Sequence, residues 1–148
     1  MIYSREFLQD QLTPVSIYTK LKLLFAGEIS YLFESANQSD GNYSFICVGA
    51  RERLQYQNNK TIYTGIDGVK IYPSKTPFEF LKDYYSKLNQ EVYRKSVAEL
   101  GVGYVDGFIG YIGYDMVKVF EPRLIPSMAH LTDELLIPDM DLILPKII

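Results

Sequence analysis

Apolar and polar positions along this chain follow two periods, one suited to helices and one to strands. Thr13-Pro14 reads as a helix start, with Thr13 as N-cap and Pro14 at the first helical position, where its missing N–H costs nothing. Val15, Tyr18, Leu21 and Phe25 then form an approximate apolar stripe, and Gly27 closes it. Residues 29–33 follow as a strand with little polar face, running directly into Glu34-Ser35. A polar loop spans 36–42, and residues 43–48 read as a second, almost wholly apolar strand.

Turn chemistry organises the next stretch. Residues 54–57 and 61–64 flank Asn58-Asn59, a two-residue hairpin turn. Asp67-Gly68 before Val69 is the strongest hairpin signal in the chain, because both residue types accept positive φ. The pattern therefore predicts an antiparallel meander over 43–72. Thr76-Pro77-Phe78-Glu79 is a capping box, and Phe78, Leu81, Tyr85 and Leu88 behind it share one helical face. A further helix is expected over 90–100, ended by Gly101.

Residues 107–113 read as an aromatic and aliphatic strand with glycine at every third position. Glycine inside a strand marks a bend, a bulge or the close approach of another backbone. Residues 114–120 suit a short helix stopped before Pro122, since the residue before proline avoids helical angles. A loop rich in proline and acids is expected as far as Pro138, then a buried strand over 141–148. An unpaired edge at Leu142-Ile143-Leu144 would be a liability, so the fold is expected to continue past residue 148 or to borrow pairing. The predicted class is α+β, one domain over 1–148, with a largely antiparallel, curved sheet covered by a few helices.

Composition narrows the classes. With 148 residues, 47% hydrophobic and 22% charged, the chain suits a globular domain with a sizeable core. Net charge is −3, and Lys and Arg are interspersed with acids, as in Arg51-Glu52-Arg53. No basic stripe forms, which excludes a nucleic-acid module. Cys47 is the only cysteine and sits in an apolar run, so it reads as a buried small hydrophobe in a reducing compartment. No signal-like segment or membrane-length apolar run occurs, and the expected location is cytoplasmic.

Candidate chemistry is sparse. His130 is the only histidine and lacks a nucleophile elbow, so it reads as a loop histidine. One His and one Cys do not make a soft-ligand zinc site. Asp133-Glu134 and Asp139/Asp141 carry oxygen ligands that magnesium accepts, but they read as solvated loop carboxylates. The glycines at 107, 110 and 113 do not match a phosphate-binding pattern. Glu34-Ser35 is the exception, placing a carboxylate and a hydroxyl where an apolar strand meets a polar loop. The pair reads either as a turn start with Glu34 in water or as a ligand-binding strand end.

Taken in order, Thr13-Pro14-Val15-Ser16, Leu32-Phe33-Glu34-Ser35, Tyr43-Ser44-Phe45-Ile46, Gly107-Phe108-Ile109-Gly110-Tyr111, Tyr114-Asp115, Phe120-Glu121-Pro122 and Ile137-Pro138-Asp139-Met140 resemble the N-terminal signatures of anthranilate synthase component I, a chorismate-utilising enzyme. The resemblance spans almost the whole chain. It implies a parent lyase that converts chorismate to anthranilate and pyruvate in tryptophan biosynthesis, with ammonia from a glutamine amidotransferase subunit. Its catalytic residues and Mg2+ site belong to a C-terminal chorismate-binding domain that this sequence does not contain. This region alone is then non-catalytic and holds no cofactor of its own.

By the same resemblance, the region helps form the site of feedback inhibition by L-tryptophan. Glu34 and Ser35 contact the amino-acid part, Tyr43 and Ser44 form a neighbouring wall, and Leu32, Phe33 and Phe45 are candidates for the apolar lining. Some family members carry lysine where Tyr43 aligns, so an aromatic replaces a charge there. The rest of the pocket comes from the C-terminal domain. Two other readings stand beside this one: the equivalent region of aminodeoxychorismate synthase component I in folate biosynthesis, and a docking module for the amidotransferase subunit.

Overall fold

The computed structural model describes residues 10–34, 43–88, 107–130 and 135–148, together with Arg5, Glu6, Leu8, Glu91, Val92, Arg94, Lys95 and Ala98. The expected loop over 36–42 lies outside the described residues, and the expected helix over 90–100 falls mostly outside them. The described elements form an α+β fold with one six-stranded antiparallel sheet.

Helix α1, Pro14–Leu24, starts as the sequence predicts, with the Ser16 N–H donating to Thr13 Oγ1 at 3.2 Å. The stripe on it packs only in part. No α1 residue is fully buried, and Leu23 and Leu24 face solvent.

Strand β1, Ser30–Glu34, pairs with the opening residues of β2, Ser44–Gln57. Sequence reading divides β2 into two strands around the charged Arg51-Glu52-Arg53, whereas the backbone runs through as one 14-residue strand. A register shift between Ala50 and Glu52 accommodates the break in apolar pattern. The charges also find partners within the sheet. Arg51 Nε donates to the Pro145 carbonyl at 3.0 Å, and Glu52 accepts from the Tyr63 hydroxyl at 2.7 Å.

Strands β3, Lys60–Gly65, and β4, Gly68–Tyr72, complete the predicted meander. Asn58 and Asn59 both take positive φ, at 51° and 58°, as a two-residue hairpin turn requires. In the second hairpin Gly65 pairs with Gly68, which makes Ile66-Asp67 the turn. Gly68 alone adopts the left-handed conformation there, at φ 97°, so the glycine relieves Asp67 of that role.

Helix α2, Pro77–Ser86, carries the complete capping box: the Glu79 N–H donates to Thr76 Oγ1 at 3.2 Å and the Thr76 N–H to Glu79 Oε2 at 2.8 Å. Its most buried side chains are Pro77 and Phe80, a face rotated from the one the apolar spacing predicts. The sheet decides this. Phe80 meets the rings of Tyr63 and Tyr72 at 5.0 and 5.6 Å, while Leu88 stays exposed.

Strand β5, Ile109–Ile112, leads through a 3-10 turn at Tyr114–Met116 into the short helix α3, Val117–Phe120. The segment expected as loop then holds a second 3-10 turn, Pro122–Leu124, and helix α4, Ile125–Met128. Pro122 and Pro126 occupy first-turn positions, where a missing N–H is harmless. Strand β6, Met140–Ile147, lies inside the sheet, whose order is β4-β3-β2-β6-β5. Leu142 and Ile143 are paired on both sides, by β2 and by β5, so they form no free apolar edge.

Val48 pairs with both Ser30 and Ile147, and Leu54 with both Tyr63 and Leu142. Strands β1 and β3 therefore share one edge of β2, and β6 runs along the other. Leu54, Phe80, Met116, Met140 and Leu142 form the buried cluster between sheet and helices. Complete burial of a side chain such as Leu54 contributes about 1.5–3 kcal/mol.

Candidate functional site

Strand pairing sets the register of the strand ends that carry the candidate residues. Glu34 lies directly opposite Ser44, Phe33 opposite Phe45 and Leu32 opposite Ile46. Side chains alternate along a strand. Leu32 and Glu34 consequently share one face of the β1–β2 pair with Ile46 and Ser44. Phe33 shares the other with Phe45 and with Tyr31, whose ring lies 5.8 Å from that of Phe33. Glu34, Tyr43 and Ser44 are exposed, whereas Leu32 and Phe33 are half-buried. Ser35 lies outside the described residues. The pairing thus brings a carboxylate, a serine hydroxyl and apolar surface to one end of β1, open to solvent.

Elsewhere in the sheet lies a polar group that sequence reading assigns to solvent. Asp141 is not a solvated loop carboxylate: it is 3% exposed, on β6. Arg53 binds it through both arms, Nε to Oδ1 at 2.8 Å and Nη2 to Oδ2 at 2.5 Å. A bidentate pair of this kind satisfies a carboxylate that burial would otherwise penalise. Tyr111 sits opposite Asp141 in the β5–β6 register, and its hydroxyl donates to the Pro138 carbonyl at 3.1 Å.

Tyr31, on β1, is half-buried. Burial first, and then the Asp141 carboxylate, raise its phenol well above the usual tyrosine range. Tyr111 is shifted upward by the same two causes. The Arg53 guanidinium is held more firmly protonated, chiefly by its hydrogen bonds to Asp141. Strands β2, β5 and β6 therefore contribute to one polar group within the sheet. The available signal was the alternation in residues 140–144, where an acid interrupts an apolar strand on a central β6.

The remaining candidates fall elsewhere. His130 is exposed. Cys47 is fully buried and its thiol is pushed up to about 11 by that burial. Asp133-Glu134 lies outside the described residues. Among the described residues no cluster of three or more His, Cys, Asp or Glu side chains is arranged to hold a metal, and no helix is long and apolar enough to cross a membrane.

Fold and strand-end geometry define an α+β domain built on an antiparallel sheet, and sequence comparison adds the family. The chain is homologous to part of anthranilate synthase component 1. It is 31% identical over 129 residues to that protein of Bacillus subtilis, covering 86% of this chain and 23% of the relative. It is 37% identical over 123 residues to the Aquifex aeolicus protein, covering 79% and 23%. With the chloroplastic anthranilate synthase alpha subunit 1 of Arabidopsis thaliana, identity is 28% over 146 residues, covering 93% and 24%. The chain spans about a quarter of the length of these relatives. No protein-family model matches it, and no solved structure gives a significant match.

Proposed function

We propose that this chain serves as the N-terminal, non-catalytic region of anthranilate synthase component 1 and contributes the site at which L-tryptophan inhibits that enzyme. The observation that supports this most directly is the match to component 1 proteins of bacteria and a plant over 79% to 93% of the chain, together with the β1–β2 register that sets Glu34 opposite Ser44. In this reading Glu34 accepts from the ligand ammonium group, and Ser35 and Ser44 supply hydroxyls for the carboxylate. Tyr43 flanks them as an exposed ring at the strand end.

Leu32, on the face of Glu34 and Ser44, provides apolar surface for the indole, whereas Phe33 lies on the other face of the strand. A chorismate-binding catalytic domain supplies the opposing wall, the Mg2+ site and the chemistry. A glutamine amidotransferase subunit supplies ammonia, and the assembly works in the cytoplasm. An inhibitor bound where two domains meet changes activity by favouring one of their relative arrangements.

The test is kinetic. In the catalytically competent enzyme that carries this region, Ser35→Ala should raise the half-inhibitory tryptophan concentration roughly tenfold, about 1.4 kcal/mol, while sparing uninhibited turnover. Unchanged inhibition in that variant removes Ser35 from the site.

A further inference from the structure

Helix α1 and the proposed tryptophan site share one face of β1. We infer that α1 forms a side wall of that site and that Tyr18 is the positioning residue that sets the helix there, through two hydrogen bonds to Ser30; this rests on the function proposed above.

The alternation along β1 defines the face. Ser30, Leu32 and Glu34 point to one side, together with their partners Val48, Ile46 and Ser44 on β2. Helix α1 packs against both strands, and its half-buried Pro14, Ile17, Tyr18 and Leu21 fall on one helical stripe. Two hydrogen bonds fix which side of the sheet the helix occupies. The Tyr18 hydroxyl donates to the Ser30 carbonyl at 3.3 Å and accepts from the Ser30 hydroxyl, also at 3.3 Å. The Ser30 side chain thus points at α1, and the helix lies over the face that carries Leu32 and Glu34.

Burial falls off along this face. Val48 is 2% exposed, Ser30, Leu32 and Ile46 are half-buried, and Glu34 and Ser44 are exposed. Among the described residues, α1 therefore covers the Ser30 end and leaves the Glu34 end open. A ligand whose ammonium group meets Glu34 and whose indole rests on Leu32 lies against the flank of the helix.

Little apolar burial holds α1 in place. None of its residues is fully buried or belongs to the core cluster around Leu54 and Met140, and Leu23 and Leu24 face solvent. The setting of the helix on the strand pair consequently depends on directional contacts. The bonds of Thr13, Ser16 and Thr19 stay within the helix and its cap, whereas those of Tyr18 cross to β1. Tyr18 touches no ligand in this account; it acts by fixing the distance between α1 and the strand.

The experiment measures tryptophan inhibition in the competent enzyme carrying Tyr18→Phe, Ser30→Ala, both together, or Ser35→Ala. Tyr18→Phe keeps the ring and removes both bonds, and should raise the half-inhibitory concentration about threefold to tenfold. Its kcat and KM without tryptophan should stay within about twofold of wild type, a separation that general loss of stability would not produce. Ser30→Ala removes one of the two bonds and should have the smaller effect. The double variant should match Tyr18→Phe, because both changes act on the same contact.

Additive effects of the two substitutions overturn the inference, because they place the residues on separate routes. Unchanged inhibition in Tyr18→Phe also overturns it; where Ser35→Ala weakens inhibition in the same series, the proposed function stands, and where it does not, the site moves away from the end of β1. Absence of tryptophan inhibition in the wild type overturns the proposed function itself, and the role of α1 with it.

Discussion

Gly110 on β5 lies against the Asp141 backbone on β6 so closely that a Cβ there would come within 2.0 Å of the Asp141 carbonyl oxygen. The obstacle is backbone on a central strand and cannot swing aside. Gly110→Ala must therefore push β5 away from β6 or break the ladder between them. A loss of about 3 kcal/mol or more in unfolding free energy is expected, read from urea unfolding of the purified protein.

The Arg53–Asp141 pair calls for a different magnitude. Breaking a fully buried pair costs about 3–5 kcal/mol, but the Arg53 side chain is 35% exposed and water can reach it once its partner is lost. Asp141→Asn should consequently destabilise by about 2 kcal/mol, and Arg53→Met by more, since it strands the carboxylate at a site 3% exposed. Urea midpoints of the two variants decide the order. Equal losses would show that the carboxylate gains solvent when Arg53 is removed.

Much of the fold was legible because it rests on local chemistry. Thr13-Pro14 and Thr76-Pro77-Phe78-Glu79 start helices where expected, and Asn58-Asn59 turns the first hairpin. What failed to read was decided by tertiary neighbours. Phe80 is buried because Tyr63 and Tyr72 meet it, whatever the helix's own apolar spacing. Asp141 looked like a loop acid because its partner Arg53 lies 88 residues away in the chain. The charged Arg51-Glu52-Arg53 hid the continuity of β2 for the same reason: each charge has a partner that sequence proximity does not show. At the candidate site, Glu34 and Ser35 stood out as polar residues ending an apolar strand, but the pairing of Glu34 with Ser44 required the strand register.

Alkaline pH should weaken the fold through its tyrosines. Tyr31, Tyr63 and Tyr111 have phenols raised above the ordinary value of 10.0, burial being the first cause in each. A raised folded-state pKa contributes stability that is complete below the unfolded value and is lost as pH rises through the folded one. Unfolding midpoints should thus fall once pH exceeds about 10. Phenolate absorbance should show a late group of tyrosines that ionises together with unfolding. Complete ionisation of all tyrosines near pH 10 in the folded protein contradicts this.

Cys47 offers an independent check on the β1–β2 pairing. Its thiol is buried opposite Tyr31 and pushed up to about 11. At neutral pH it should react with iodoacetamide at least about a hundredfold more slowly in the folded protein than in denaturant, since both burial and thiol protonation protect it. Fast native labelling would mean that β1 separates readily from β2.

Helix α2 should depend on its cap. Thr76→Ala removes both the Oγ1 acceptor for the Glu79 N–H and the hydroxyl that meets Glu79 Oε2, and is expected to cost about 1 kcal/mol by thermal or urea unfolding. Thr76→Ser should restore most of it.

Calorimetry of L-tryptophan against the intact component 1 polypeptide bearing this region tests the central claim most directly. The account predicts saturable heat and a melting temperature that rises with ligand, with about 2.7 kcal/mol of added stability at a hundred times the dissociation constant. Both effects should weaken in Ser35→Ala. No heat and no thermal shift in the wild-type protein would contradict the account and leave a region that only docks a partner.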